Sequence, residues 1–168
     1  MRLKDHASAI EYANLVLSNH PESPFIADAW YEIGVAEKGM GNPEKSLQAF
    51  TSAMQNSLGK TGARARCMIG EAYFEDQKFD DAIMQFKLVI NGYGGRDSAA
   101  AVKPWQAFAA YEAARCYYVQ VSDTPDVAKR KDLITKARNL FQRLIDDYPN
   151  EPLATEARKQ IQTLDQLK

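Results

Sequence analysis

The chain has 168 residues, of which 45% are hydrophobic and 26% charged, proportions that are ordinary for one folded domain or one short solenoid. Its 21 basic and 22 acidic side chains give a net charge of −1, so we expect neither a nucleic-acid partner nor strong attraction to an anionic membrane. No stretch approaches the ~18 consecutive apolar residues of a membrane span, and the first residues lead into an amphipathic pattern rather than a signal peptide.

The opening segment, residues 5–24, predicts one amphipathic helix, because its apolar residues recur at the helical spacing of three and four. A segment near the end of the chain repeats this pattern position by position. The matched residues are Ala9, Ala13, Val16 and Pro21 against Ala137, Phe141, Leu144 and Pro149. The chain therefore opens on what reads as the second helix of a repeat, which suggests a fragment of a longer protein.

Two sequence repeats follow in register. In the first, Phe50 comes 16 residues after Gly34, and in the second, Phe86 comes 16 residues after Gly70. Both the glycine and the phenylalanine therefore recur after 36 residues. Glycine costs a helix up to ~1 kcal/mol relative to alanine, so a structural reason is expected at these positions. We expect the glycines to allow a paired helix to approach closely, and the phenylalanines to fill the space between pairs.

The third repeat carries an insertion. Ala114 takes the glycine position, and Phe141 follows after 27 residues instead of 16, which leaves 11 extra residues between the two helices. Residues 97–103 predict an extra helical turn bent at Pro104. Residues 124–126, Thr-Pro-Asp, predict the start of an unusually long helix.

The combined pattern resembles the tetratricopeptide repeat (TPR) family, whose signature is W-x2-L-G-x2-Y, then A-x3-F, then P. The resemblance implies an all-α fold, a TPR-like right-handed superhelix of antiparallel helix pairs, or α-solenoid. It covers nearly the whole chain, which we predict to form a single TPR-like domain, 1–168. Its predicted parts are the second helix of a partial repeat, 5–24, three repeats, 25–58, 61–94 and 97–149, and a charged capping helix, 152–167.

The search for catalytic chemistry gives no candidate. The two histidines, His6 and His20, have no second ligand at helical spacing, and the sequence contains no nucleotide-binding or nucleophile motif. Cys67 and Cys116 lack CxxC spacing and fall within predicted helices, where we expect both to be buried as small apolar side chains. We therefore predict no enzyme activity, no metal site and no cofactor.

The TPR resemblance also implies a concave groove, lined by one face of each first helix, that binds a protein or peptide partner. The family positions fall on Asp28, Tyr31, Val35 and Lys38, on Arg64, Cys67, Glu71 and Phe74, and on Phe108, Tyr111, Arg115 and Tyr118. We expect affinity to come from the aromatic residues, with Arg64 and Arg115 pairing with partner carboxylates. As an alternative, the insertion folds over the last of these stripes and buries it. Tyr31 and Val35 stand where the chaperone-binding TPR subgroup has lysine and asparagine, so the chain does not resemble that subgroup.

The segment from Phe141 to Pro149 is similar to bacterial cell-envelope TPR proteins, including outer-membrane assembly lipoproteins and the periplasmic partner of the Tol–Pal system. This similarity implies a scaffold role in the periplasm or envelope, with the cytoplasm as the alternative compartment. Two other functions stay open. One is a self-assembling structural repeat unit that forms a homo-oligomer, and the other is an accessory segment of a larger enzyme or envelope assembly.

Overall fold

A computed structural model describes residues 3–167 and, of residues 3 and 4, the backbone alone. This part of the chain is all-α, as predicted, with eight α-helices and no strand. The helices are α1 (Leu3–Asn19), α2 (Ile26–Gly39), α3 (Pro43–Gln55), α4 (Lys60–Glu75), α5 (Phe79–Asn91), α6 (Lys103–Val119), α7 (Val127–Asp147) and α8 (Pro152–Asp165).

The chain divides into two compact units, one that ends at Ala72 and one that begins at Tyr73, so the boundary lies inside α4. In the N-terminal unit, α2 packs against both α1 and α3. In the C-terminal unit, α6 packs against α5 and α7, and α8 packs against α7 and α6. Short connections join most of these neighbours, which makes successive helices antiparallel, as in other helical repeats. The division into individual repeats stays a prediction.

Gly34 allows a close helix approach in the N-terminal unit, as the sequence predicts. A Cβ atom at this position would lie 2.6 Å from two ring atoms of Phe50. The Phe50 side chain is only 2% exposed, and its ring centroid lies 5.3 Å from that of Tyr31. Ser46 Oγ also donates a hydrogen bond of 2.8 Å to the Gly34 carbonyl, which fixes α3 against α2.

The repeat phenylalanines of the C-terminal unit lie in its core. Phe86 and Phe141 are both fully buried, and Ala114, at the glycine position of the third repeat, is buried between their helices. Phe50 is buried as well, and its contact with Gly34 lies within one helix pair, so the expectation that these side chains fill the space between pairs stays a prediction.

The segment that precedes α6 begins with a turn rather than an extra helical turn bent at a proline. Tyr93, Gly94 and Gly95 all have positive φ angles, and a short 3₁₀ turn, Gly95–Asp97, follows. Pro104 does not bend a helix, which corrects the prediction, because it stands in the first turn of α6, where its missing N–H has no partner to lose.

One buried glutamine fastens this turn to α6. Gln106 Nε2 donates to the carbonyls of Gly95 at 3.1 Å, Gly92 at 3.2 Å and Val89 at 3.5 Å. Ser98 Oγ donates to Gln106 Oε1 at 2.7 Å. The Gln106 side chain is 0% exposed. Its hydrogen bonds therefore satisfy both the buried amide group and the carbonyl groups of the irregular backbone that precedes α6.

The long helix predicted to start at residues 124–126 is present. α7 has 21 residues, whereas α3 and α5 have 13 each. Asp126 caps its N-terminus, because Asp126 Oδ1 accepts a hydrogen bond of 2.7 Å from the Lys129 N–H. The insertion therefore mainly lengthens α7 at its N-terminal end.

Candidate partner-binding surfaces

The family positions of the N-terminal unit lie on facing sides of α2 and α4. Arg64 Cζ lies 3.8 Å from the centroid of the Tyr31 ring, a close cation–π contact. At one end, Asp28 Oδ1 accepts a hydrogen bond of 2.6 Å from Thr61, and at the other, Lys38 Nζ lies 3.9 Å from Glu71 Oε2. The structure therefore brings Asp28, Tyr31, Arg64 and Glu71 together along one pair of helices.

Tyr31 lies beneath this surface rather than on it. Its side chain is 4% exposed, because one face of the ring packs on Phe50 while Arg64 covers it. Burial raises the pKa of the Tyr31 hydroxyl, and the positive charge of Arg64 opposes that shift. Cys67, the neighbouring family position on α4, is also fully buried. Tyr31 thus holds the Arg64 guanidinium in place, and the exposed part of this region is charged.

The family positions of the C-terminal unit form an aromatic stripe on α6. Phe108, Tyr111, Arg115 and Tyr118 are three, four and three residues apart, so they lie on one face of the helix. All four side chains are half-buried and keep part of their surface exposed within the C-terminal unit. Together with Phe74, these residues are named here the aromatic–arginine surface.

Arg115 is held in a fixed position at the centre of this surface. Its Cζ lies 4.3 Å from the centroid of the Phe74 ring, and its Nη1 lies 3.0 Å and 2.9 Å from the two carboxylate oxygens of Glu112. The Glu112 side chain is only 7% exposed. Sequence analysis missed Glu112, although its i, i+3 spacing to Arg115 is a recognisable signal for an ion pair. The buried carboxylate neutralises Arg115 while leaving its outer N–H groups available.

Tyr111 connects the surface to the core. Its ring centroid lies 5.4 Å from that of Phe141 in an edge-to-face contact. Burial raises the pKa of the Tyr111 hydroxyl, and the nearby carboxylates of Glu156 and Glu112 raise it further. The phenol is therefore neutral over the physiological pH range. Trp105, which sequence analysis also missed, adds an edge-to-face contact with Phe108 at 5.9 Å.

Both thiols are buried within helices, as predicted. Neither Cys67 nor Cys116 is in a disulfide, both are 0% exposed, and burial raises the pKa of the Cys116 thiol to about 12. Among the described residues, no three His, Cys, Asp or Glu side chains are grouped to hold a metal ion. None of the helices between residues 3 and 167 is long and apolar enough to cross a membrane.

Because only the thiolate reacts readily, the buried thiols should resist modification in the native state. With a disulfide reagent at pH 8, we expect both cysteines to react slowly, and to react at once after denaturation in urea. The measurement is the absorbance of the released thiol over time. Fast modification of either thiol in the native protein would show that its helix opens readily or that the residue is exposed.

Comparison with known protein families gives two matches. Both are to family models described as tetratricopeptide repeat, one over residues 27–57 and the other over residues 108–151. The first spans α2 and α3, and the second spans most of α6 together with α7. No curated protein matches the chain. Together, the all-helical architecture and these two matches support a tetratricopeptide repeat protein with a TPR-like helical-solenoid fold.

Proposed function

We propose that the chain is a non-catalytic scaffold that binds a segment of a partner protein across the aromatic–arginine surface. Tetratricopeptide repeats generally mediate protein–protein interactions and are typically not catalytic. The observation that carries the proposal is the arginine fixed over Phe74 and paired with a buried Glu112 between half-exposed aromatic rings. Tyrosine, tryptophan and arginine dominate binding hot spots, and groups already held in place lose little entropy on binding.

In this proposal the aromatic rings supply contact area, and Arg115 orients the partner by donating hydrogen bonds to it. A guanidinium carries five N–H donors, and Glu112 contacts only Nη1 of the Arg115 guanidinium. The remaining donors reach a carbonyl or carboxylate of the partner. The N-terminal unit contributes a second contact region through Asp28, Arg64 and Glu71, with the buried Tyr31 ring supporting Arg64.

The test is retention of partner proteins from a lysate of the source organism. The immobilised chain is compared with Tyr111→Ala/Arg115→Ala and with Tyr118→Ala. We expect a specific protein to be retained by the original chain and to be lost, or reduced about tenfold or more, with each variant, because truncating a hot-spot residue costs about 2 kcal/mol or more. Lys103→Ala, which removes an exposed cation from the same helix, is the matched control and should retain the protein.

Circular dichroism must show that each variant is folded, because the Tyr111 ring also packs on Phe141. Tyr118→Ala serves as the milder variant, since its side chain is half-exposed. If both variants retain the same proteins as the original chain, partner binding does not use the aromatic–arginine surface.

A place in the bacterial cell envelope is a finer part of this proposal. Its support is the sequence similarity of the segment from Phe141 to Pro149 alone. Fractionation of source cells, with an antibody against the chain, is expected to find it in the periplasmic or membrane fraction. Recovery in the cytoplasmic fraction would remove this part and leave the scaffold proposal intact.

Self-association is a second candidate function, favoured by exposed apolar side chains on α1. Tyr12 and Leu15 are exposed, and an open groove of about 740 Å³ is lined in part by Ile10, Leu17 and Trp30. A second copy that covered these residues would remove them from water. Sedimentation velocity should then show a mass that rises with concentration and falls back to the monomer in Leu15→Glu. A constant monomer mass would exclude this function.

A further inference from the structure

The C-terminal unit carries an open groove that shares no residue with the aromatic–arginine surface. Its volume is about 610 Å³, and its walls include Ile83, Met84 and Leu88 of α5 with Tyr117 of α6. Met84 is 51% exposed and Leu88 46% exposed. They are four residues apart and therefore adjacent on the helix surface. A partner that covered these two side chains would remove their apolar surface from water.

Two lysines flank the tyrosine of this groove. Lys87 Nζ lies 3.3 Å from the Tyr117 hydroxyl and 5.8 Å from the centroid of its ring, and Lys136 Nζ of α7 lies 5.8 Å from the same centroid. Lys136 is neutralised by Asp132, whose Oδ2 lies 2.6 Å away. Within residues 3–167, Lys87 has no carboxylate at ion-pair distance. Lys87 therefore carries the uncompensated positive charge of the groove.

The charges are unevenly distributed along the groove. Asp80 lines one end, seven residues before Lys87, which is about 10 Å along the helix at 1.5 Å per residue. The other end is formed by Asn91, whose side-chain oxygen accepts a hydrogen bond of 3.0 Å from Arg143. Arg143 is in turn paired with Asp147, whose side chain is nearly buried. The centre of the groove is thus cationic and apolar at once.

We propose that this groove, named here the Lys87 groove, binds an amphipathic segment of a protein partner that places an aliphatic side chain on Met84 and Leu88 and a carboxylate on Lys87. The aliphatic wall supplies affinity through burial of apolar area, and Lys87 supplies charge complementarity. The Asp80 carboxylate repels any further carboxylate of the partner at its end of the groove, and this repulsion orients the bound segment. This site is independent of the proposed function of the aromatic–arginine surface.

The test is a selection with phage-displayed random peptides of 13 residues, the length of α5. Peptides are selected on the whole chain, and those that also bind Met84→Asp are removed. We expect the remaining peptides to share Asp or Glu within one helical turn of Leu, Ile, Val or Met. In calorimetry with synthetic versions of these peptides, Lys87→Glu should weaken binding about tenfold or more. Peptides in which lysine replaces the acidic residue should bind the Lys87→Glu variant more tightly than they bind the original chain.

Lys103→Glu is the matched control, because it makes the same charge change at an exposed lysine of α6 outside the groove. It should leave peptide affinity within about twofold, since exposed charges away from a site act weakly through screening. Both Met84 and Lys87 are exposed, so the groove variants are expected to fold, which circular dichroism checks. A selection that yields no peptide dependent on Met84, peptides without carboxylates, or affinities that ignore Lys87→Glu would overturn the proposal.

Discussion

Replacing Gly34 with alanine is expected to lower the free energy of unfolding of the N-terminal unit by about 2 kcal/mol. The added Cβ would lie 2.6 Å from ring atoms of Phe50, which is buried and cannot swing away. Overpacking of this kind costs about 3 kcal/mol, and the higher helix propensity of alanine offsets about 1 kcal/mol. A substitution that favours the isolated helix should therefore destabilise the folded unit.

The measurement is urea unfolding followed by tryptophan fluorescence. The two tryptophans, Trp30 and Trp105, lie in different units, so a Trp105→Phe background reports the N-terminal unit alone. Gly59→Ala is the matched control, because a Cβ at that position meets only Ser57 Oγ at 3.8 Å. We expect the control to be neutral or stabilising by up to about 1 kcal/mol.

A double substitution separates steric overlap from other causes. Leucine at position 50 is smaller than phenylalanine, so Gly34→Ala/Phe50→Leu should be destabilised by less than the sum of the two single variants. Additive losses, or a Gly34→Ala variant as stable as the original chain, would show that the contact with Phe50 does not require glycine.

Replacing Gln106 with leucine is expected to have the largest effect on the C-terminal unit, a loss of about 3 kcal/mol. Leucine has a similar size, so the cavity it leaves is small, but it cannot replace the four hydrogen bonds to Ser98 and to the carbonyls of Val89, Gly92 and Gly95. A buried polar group left without a partner costs about 1–3 kcal/mol. Several such groups become unsatisfied together.

Fluorescence of Trp105, in a Trp30→Phe background, reports this unfolding because Trp105 lies next to the substituted residue. Gln142→Leu is the matched control, since Gln142 donates only to Asp146 on its own helix. The control should change stability by less than about 0.5 kcal/mol. Equal stabilities of the two variants would mean that the Gln106 hydrogen bonds do not hold the turn before α6.

The sequence predicts those features of the fold that depend on local, periodic patterns. The glycine of the first repeat predicts the close approach of the paired helix, which the structure shows as α3 packed on α2 at Gly34. The Thr-Pro-Asp sequence at 124–126 predicts the start of α7, because a capping aspartate acts on the next few residues alone. Such signals are contained within one helix turn or one repeat.

Features that depend on which side chains meet across helices are harder to predict. Gln106 stands in an alanine-rich helix, and nothing near it indicates that it bonds to a turn more than ten residues away in the chain. Tyr31 occupies a family position associated with the groove, yet its ring lies on Phe50 and under Arg64. The proline at 104 is compatible with a bend or with a helix start, and only the packed structure decides between them.

The candidate surfaces, too, are predictable from the sequence only where they depend on a single helix. Helical spacing alone aligns Phe108, Tyr111, Arg115 and Tyr118 on one face of α6. The placement of Phe74 under Arg115 needs the last turn of α4 beside α6, and the Lys87 groove needs α5 and α6. Single residues can be placed on a helix face from sequence, but the charge balance of a surface requires the partners from neighbouring helices.

The most direct test of the scaffold proposal is photo-crosslinking from the aromatic–arginine surface. A photoreactive phenylalanine analogue replaces Tyr118, the chain is irradiated in source-organism lysate, and the attached protein is identified by mass spectrometry. We predict a crosslink to one protein that disappears in the Arg115→Ala background, and none from the same analogue at position 103. A probe at position 118 that captures nothing, or a crosslink that Arg115→Ala leaves unchanged, would contradict the proposal that this surface binds a partner.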